Sequence, residues 1–317
     1  MKYLESVEEA IGNTPLIKLG KISQGLPSVI FGKFEAVNPG GSAKDRIASH
    51  IIKRAEECGK LKKGGVIVEA TAGNTGAGLA MIAAKKGYRA IFVMPDKMSD
   101  DKIALLKAYG AEVVLTKTNV PPDSPENYNN LADSIASKMP NAFRVSQFEN
   151  MDNPRSHYLS TGREIYEALN GKVDAFVAGI GTGGTISGIG KFLKEKNPRI
   201  KIVGADPEGS ILSGDKPKPY LVEGIGEDFF PKTLDKSIID EMERVKDEES
   251  FYCARRLARE EGILAGGSSG TSLAAAIRLA KRMPKGSNIV AFFTDTGRNY
   301  LSKIFSDKWM SEKGFKF

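Results

Sequence analysis

Residues 66–94 read "VIVEATAGNTGAGLAMIAAKKGYRAIFVM", and this stretch decides the fold class. "VIVEA" from Val66 and "AIFVM" from Ala90 are short apolar runs with β-branched residues, the pattern of strands covered on both faces. Between them, residues 75–86 carry helical periodicity. The same alternation recurs outward. Strands are predicted at "AEVVLT" from Ala111, "AFVAGI" from Ala175, "KIVGAD" from Lys201 and "NIVAFFT" from Asn288, and helices over 100–109, 126–138, 155–169 and 271–282. Strand and helix in turn imply parallel sheets covered by helices, an α/β fold. The polar stretch "TKTNVPPDSPENYNN" from Thr116 resists both helix and sheet, and marks either a lobe edge or a surface excursion within one lobe.

A chain of 317 residues with 41% hydrophobic content is long enough for one or two well-filled domains. Its formal charge of +7 is spread among interleaved acids, with no basic arm or face, which argues against nucleic acid and leaves anionic small molecules as partners. Two cysteines and two histidines make neither a disulfide framework nor a metal site, so a reducing compartment and no metal are expected. The acidic N-terminus lacks a signal-peptide core, and no segment approaches the roughly 20 apolar residues of a membrane span. The expectation is a cytoplasmic protein with no membrane partner.

Parallel α/β sheets bind ligands at the carboxyl ends of their strands, and four loops there are unusual. The first, "GIGTGGTISGIG" from Gly179, sets Gly181, Gly183 and Gly184 beside Thr182 and Thr185 at the start of a helix, a cup for phosphate. Gly179, Gly181 and Gly184 also satisfy G-x-G-x-x-G, with Asp206 ending the next strand, so a nicotinamide-dinucleotide fingerprint competes. The second, "EATAGNTGAG" from Glu69, offers Thr71, Asn74 and Thr75 with Gly73 to a carboxylate, or forms an ordinary helix cap.

In the third loop, "NPGGSAKDR" from Asn38, Ser42 is placed to cap a helix whose first turn holds Lys44. An ammonium beside the positive end of a helix is a poor choice for stability and has its pKa pushed down, which frees the amine for Schiff-base chemistry; the alternative is a solvated lysine paired with Asp45. The fourth, "EGILAGGSSGTS" from Glu261, places Ser268 and Ser269 before a helix expected near Thr271, either as a cap or as a hydroxyl for a pyridine nitrogen. A lysine nucleophile with a phosphate cup and no metal ligands points to pyridoxal 5'-phosphate.

Taken together, "IGNTPLIKL", "NPGGSAKDR", "TAGNTG", "LLKAYGAEVVLT", "QFEN", "GTGGT", "EGIG" and "GGSSG" resemble the cysteine synthase and cystathionine β-synthase family, the fold-type-II group of pyridoxal-phosphate enzymes. The resemblance runs nearly end to end. It implies two lobes, each a mainly parallel twisted sheet flanked by helices: a smaller, mobile substrate-binding lobe over 36–146, and a cofactor-phosphate lobe over 12–35 plus 147–317. By the resemblance Lys44 is the Schiff-base lysine, Gly181, Thr182, Gly183, Gly184 and Thr185 hold the cofactor phosphate, Asn74 meets its phenolic oxygen and Ser268 its pyridine nitrogen. Thr71, Ala72, Gly73, Asn74, Thr75 and Gln147 would bind the substrate carboxylate.

The implied reaction is β-replacement on O-acetylserine, serine or cysteine through a bound aminoacrylate, with a thiol or sulfide as the incoming group; a hydrogen-sulfide-releasing reaction on cysteine is the alternative. "VEGIGEDFFP", "DPEGS" and "RNY" resemble the cystathionine synthase side, without the regulatory repeats or haem-binding extension of some of those enzymes. Ala72 stands where cysteine synthases usually carry serine. Asp228, beside Glu227, is a surface acid by default, or a partner for the ammonium of an amino-acid thiol. A homodimer and a serine acetyltransferase tail as a binding partner are further implications of the resemblance.

Overall fold

Apolar strands and amphipathic helices alternate in the computed structural model, which describes residues 3–71, 73–96, 98, 100–118, 120–121 and 123–316. In chain order the elements are β1 (Leu16–Lys18), β2 (Val29–Phe34), α1 (Lys44–Glu57), β3 (Val66–Ala70), α2 (Asn74–Lys86), β4 (Arg89–Pro95), α3 (Asp100–Ala108), β5 (Glu112–Thr116), α4 (Tyr128–Lys138) and β6 (Ala142–Arg144). They continue with α5 (Asp152–Leu159), α6 (Thr161–Ala168), β7 (Ala175–Gly179), α7 (Gly184–Lys196), β8 (Lys201–Pro207), β9 (Glu241–Val245), α8 (Asp247–Glu261), α9 (Gly267–Ala280), β10 (Asn288–Phe293) and α10 (Asp307–Glu312). The chain divides into two units, Met1–Ile11 with Asn38–Asp152, and Gly12–Val37 with Asn153–Phe317. Gln147 therefore groups with the unit that carries α1 and α2.

In that unit the strand order is β5-β4-β3-β6, parallel throughout. All five residues of β3 are buried, which is why "VIVEA" reads as a continuous run rather than an alternating one. Its two faces still differ: Ile67 joins Ile47, Ile51, Leu79 and Ile82 of α1 and α2, whereas Val66 and Val68 pack with Ala132 of α4. The polar stretch from Thr116 belongs to this unit and is no lobe edge; its first residue ends β5 and Tyr128, Asn129 and Asn130 open α4, so only its middle is free of helix and sheet among the described residues.

In the other unit the order is β1-β2-β10-β7-β8-β9, with β1 antiparallel to β2 and every other pair parallel. Leu273, Ala276 and Leu279 of α9 fill its core against Val177 and Ala291. Lys33 of β2 is buried as well, its ammonium donating to the Thr14 carbonyl (2.7 Å) and to Glu164 (2.5 Å), as a cation inside a sheet requires.

Two helix boundaries depart from the sequence pattern. The helix expected over 155–169 is two helices, parted at Ser160, whose hydroxyl (2.7 Å) shares the Ser156 carbonyl with its own N–H (3.1 Å), a back-bond of the kind that bends helices. The helix expected near Thr271 starts at Gly267, so Ser268 and Ser269 lie inside its first turn. Among the described residues, no helix is long and apolar enough to cross a membrane.

Candidate functional site

The loop after β7 enters α7 through Gly183, which adopts φ +83° and closes the turn without a side-chain cap. Only glycine takes that left-handed conformation at little cost. The N–H groups of α7 that follow Gly184 thus keep their positive end available to an anion. A Cβ on Gly184 would sit 2.0 Å from the Asn153 Oδ1, so the loop is packed to the backbone. The Thr182 hydroxyl accepts from Asn153 Nδ2 (3.0 Å) and the Gly184 N–H (3.4 Å), and Thr233 donates to the Thr182 carbonyl. The Thr185 hydroxyl meets one ring nitrogen of buried His157 (3.2 Å), whose other nitrogen meets the Thr161 hydroxyl (2.9 Å).

Ser268, in the same unit, is nearly buried in the first turn of α9. α9 is tied to β7 beside the cup: the Ser272 hydroxyl accepts the Gly179 N–H at 3.0 Å. Gly266 caps α9 with no side-chain bond, so the serines are not acting as its N-cap.

In the other unit Lys44 is the first residue of α1 and half-buried. Ala43 occupies the N-cap position, and Ser42 supplies the cap from one residue upstream, its hydroxyl accepting the Lys44 N–H at 3.2 Å. The fully buried Asp45 carboxylate accepts the Gly40 N–H at 2.6 Å, fixing the glycine turn before the lysine. α2 opens on Gly73, again with no side-chain cap, so neither Thr71 nor Asn74 serves as an ordinary N-cap. The Thr71 hydroxyl lies 3.4 Å from the Gly73 N–H, and the Thr75 hydroxyl donates to Gln147 Oε1 at 2.6 Å. Thr71, Thr75 and Gln147 are all buried. Ala72 lies outside the described residues.

Asp206 does not project outward as a ribose-binding acid would: it is fully buried, and its carboxylate accepts the Ser213 N–H at 2.9 Å. Asp228 is exposed, while the backbone of Glu227 is pinned by the Ser210 hydroxyl. Nearby Tyr220 has its phenol pushed up to about 12, by burial first and then by the carboxylates of Glu227, Asp206, Asp228 and Asp247.

A sequence profile of the family described as "Pyridoxal-phosphate dependent enzyme" matches residues 7–295. The chain belongs to this family of pyridoxal-phosphate dependent enzymes. Within the family it falls with the cysteine synthase and cystathionine β-synthase group. It is 49% identical to the cystathionine β-synthase of Apis mellifera over 99% of this chain and 64% of that one. The chain spans 57 to 64% of the length of the curated relatives it matches. Among solved structures, it is similar to an O-acetylserine dependent cystathionine β-synthase from Helicobacter pylori, with TM-score 0.89 and 40% identity over 96% of this chain and 99% of that one. It is also similar to a hydrogen sulfide-producing enzyme from Fusobacterium nucleatum, with TM-score 0.88 and 41% identity over 94% of this chain and 98% of that one.

The residues of this chain fit the group its family carries. Residues 181–185 contain no acid, two hydroxyls and a helix start whose cap residue, Gly183, brings no side chain, a donor set matched to a phosphate dianion. The dinucleotide alternative loses its acid to the interior at Asp206. Three supports of the cup escape a reading of the loops alone: Asn153, His157 and Thr233. A signal for two of them exists, since Asn153 and His157 stand four residues apart and so share one face of α5.

Proposed function

We propose that this chain catalyses β-replacement on an L-amino acid with a leaving group at Cβ. O-acetylserine, serine or cysteine would be the first substrate, and a thiol or sulfide the second, giving cysteine, cystathionine or a related thioether. The observation that carries the reading is Lys44, half-buried at the start of α1, in the unit whose α2 opens on an uncapped glycine beside Thr71, Thr75 and Gln147. This unit would be the substrate-binding lobe, and the unit with α7 the cofactor-phosphate lobe.

Gly181, Thr182, Gly183, Gly184 and Thr185 would hold the phosphate of pyridoxal phosphate, Asn74 its phenolic oxygen and Ser268 its pyridine nitrogen, with Lys44 anchoring its aldehyde at rest. When bound, the cofactor supplies an electron sink that acidifies the substrate's α-proton. Lys44 Nζ then takes that proton and later returns it, acting in turn as base and acid. Thr71, Asn74, Thr75 and Gln147, with the first N–H groups of α2, would hold the substrate carboxylate and fix which face of Cα meets the amine.

Likeness to the hydrogen sulfide-producing Fusobacterium enzyme favours a second reading, in which cysteine is the first substrate and sulfide the product. Asp228 is then the acid that binds an incoming ammonium or activates water. A cytoplasmic homodimer, with a serine acetyltransferase tail as partner, belongs to the same proposal. Incubation of purified protein with O-acetylserine, serine, phosphoserine and cysteine, each with sulfide or homocysteine, separates the readings by product. Turnover is expected with at least one pair, and a loss of ~10³-fold or more in Lys44→Ala. Turnover that survives Lys44→Ala would sink the proposal.

A further inference from the structure

Glu69 has no part in the chemistry above, yet it is 1% exposed at the carboxyl end of the central strand β3. A buried carboxylate is tolerated only with its acceptor sites filled. Arg144, which ends β6, donates to Oε2 and is itself paired with Asp133 of α4 (2.8 Å). The Ser146 N–H donates to Oε2 at 2.8 Å and the Gln147 N–H to Oε1 at 3.3 Å. Burial pushes the carboxyl above its ordinary value, and Arg144 with the two backbone N–H groups pulls it back.

Those two N–H groups belong to the point where the chain leaves the sheet. Val145 still donates from its backbone to the Val68 carbonyl (3.2 Å), as a continuing strand would. Ser146 then turns to φ +53°, and the next acceptor is the side chain of Glu69 in place of the β3 backbone. The Ser146 carbonyl accepts the N–H groups of Glu149 and Asn150 (2.9 Å each), and the Asn150 amide donates to the Val145 carbonyl (3.1 Å), so the turn is closed on itself. From it Gln147 reaches back to the Thr75 hydroxyl in the first turn of α2.

We propose that Glu69 is a positioning residue for the amino-acid carboxylate subsite: it ties the Ser146–Gln147 turn to the strand that leads into the Thr71–Thr75 loop, and so holds both halves of the subsite as one piece. The inference rests on the reading in which Gln147 binds the substrate carboxylate. A sheet end that needed only stability would do as well with an apolar pair, because desolvation cancels much of the gain from a buried ion pair. An apolar side chain, however, cannot accept two N–H groups from a left-handed turn.

A double-mutant cycle on the cofactor-loaded protein tests this, with L-alanine and L-alaninamide as unreactive probes that differ in the carboxylate. Binding is read from the visible absorption of the bound cofactor. Gln147→Ala and Glu69→Gln are each expected to weaken L-alanine ~10-fold, the loss of about one well-made hydrogen bond, and to leave L-alaninamide unchanged. In the Gln147→Ala background, Glu69→Gln should add less than ~2-fold. Unchanged L-alanine binding in Glu69→Gln, equal losses for both probes, or additive losses would overturn the proposal. If Gln147→Ala keeps full L-alanine affinity, the carboxylate assignment of Gln147 fails, and the route through it fails too. Should Glu69→Gln not accumulate as folded protein, Glu69→Asp, which withdraws the carboxylate by one methylene, carries the same cycle with the same outcomes.

Discussion

Gly73 and Gly183 hold matching places, each capping a helix of 13 residues that follows a strand of a parallel sheet, yet their surroundings are opposite. A Cβ on Gly73 would meet nothing within 4 Å, whereas one on Gly183 would lie 2.5 Å from the Leu234 Cβ. The loop after β7 is shaped by backbone packing, with Asn153, His157 and Thr233 bracing it from behind. The loop after β3 is open at its cap, and its order comes from side-chain hydrogen bonds, Thr75 to Gln147 and Glu69 to the turn beyond β6. On the proposed reading, a cup that would keep its phosphate through turnover can be built of packed glycines. A subsite that, on the same reading, would admit and release an amino acid in every turnover needs room and side-chain contacts that re-form.

The largest expected contrast follows from exchanging a glycine for alanine in each loop. Gly184→Ala drives a methyl into Asn153 and breaks that amide's bond to Thr182; overpacking of this kind costs about 1–3 kcal/mol. Cofactor retention, measured as bound pyridoxal phosphate after dialysis, should fall by ~100-fold in affinity, about 2.7 kcal/mol. Gly73→Ala should leave retention unchanged and shift the unfolding free energy by less than ~1 kcal/mol, with its effect confined to the KM for the amino acid. Equal cofactor loss in both variants would break the contrast.

A smaller effect sharpens it. His157 stands between the hydroxyls of Thr161 and Thr185 and packs edge-on against Phe292 (6.2 Å between centroids). His157→Phe keeps a ring there but takes the imidazole partner from both hydroxyls, so cofactor affinity should drop roughly tenfold, about 1.4 kcal/mol. At saturating cofactor, kcat and the KM for the amino acid should stay near the original. A fall in kcat with retention intact would move His157 from bracing the cup to the reaction itself.

The same contrast governs how much was legible in the sequence. β3 and β10 are found at once, because strands buried on both faces read as unbroken apolar runs. β2 escapes because Gly32 and Lys33 interrupt "VIFGKF"; the partner that makes Lys33 acceptable inside a sheet, Glu164, lies 131 residues away and leaves no local trace. β6 and β9 end their sheets, where "AFR" and "EMERV" carry charges that protect an edge and mask a strand. The glycine loop after β7 announces itself, since glycines and threonines are chemically loud. Glu69 reads only as the polar end of a strand, for its acceptors are backbone N–H groups, which every sequence contains and none displays.

The smallest expected effect uses the fact that each unit owns one cysteine. Cys58 is exposed just past the end of α1, and Cys253 is buried on α8 against Leu257 and Leu273. Burial pushes the Cys253 thiol up to about 12. At pH 8 its thiolate is then roughly one part in 10⁴, and alkylation requires the thiolate. Iodoacetamide should label Cys58 alone in the native protein and leave turnover unchanged, while Cys253 reacts only through opening of its unit. Gly184→Ala, by straining that unit, should raise the Cys253 labelling rate severalfold, and Gly73→Ala should not. If both alanines speed Cys253 equally, the packed cup and the open loop are not mechanically distinct, and the division of labour drawn from Gly73 and Gly183 fails.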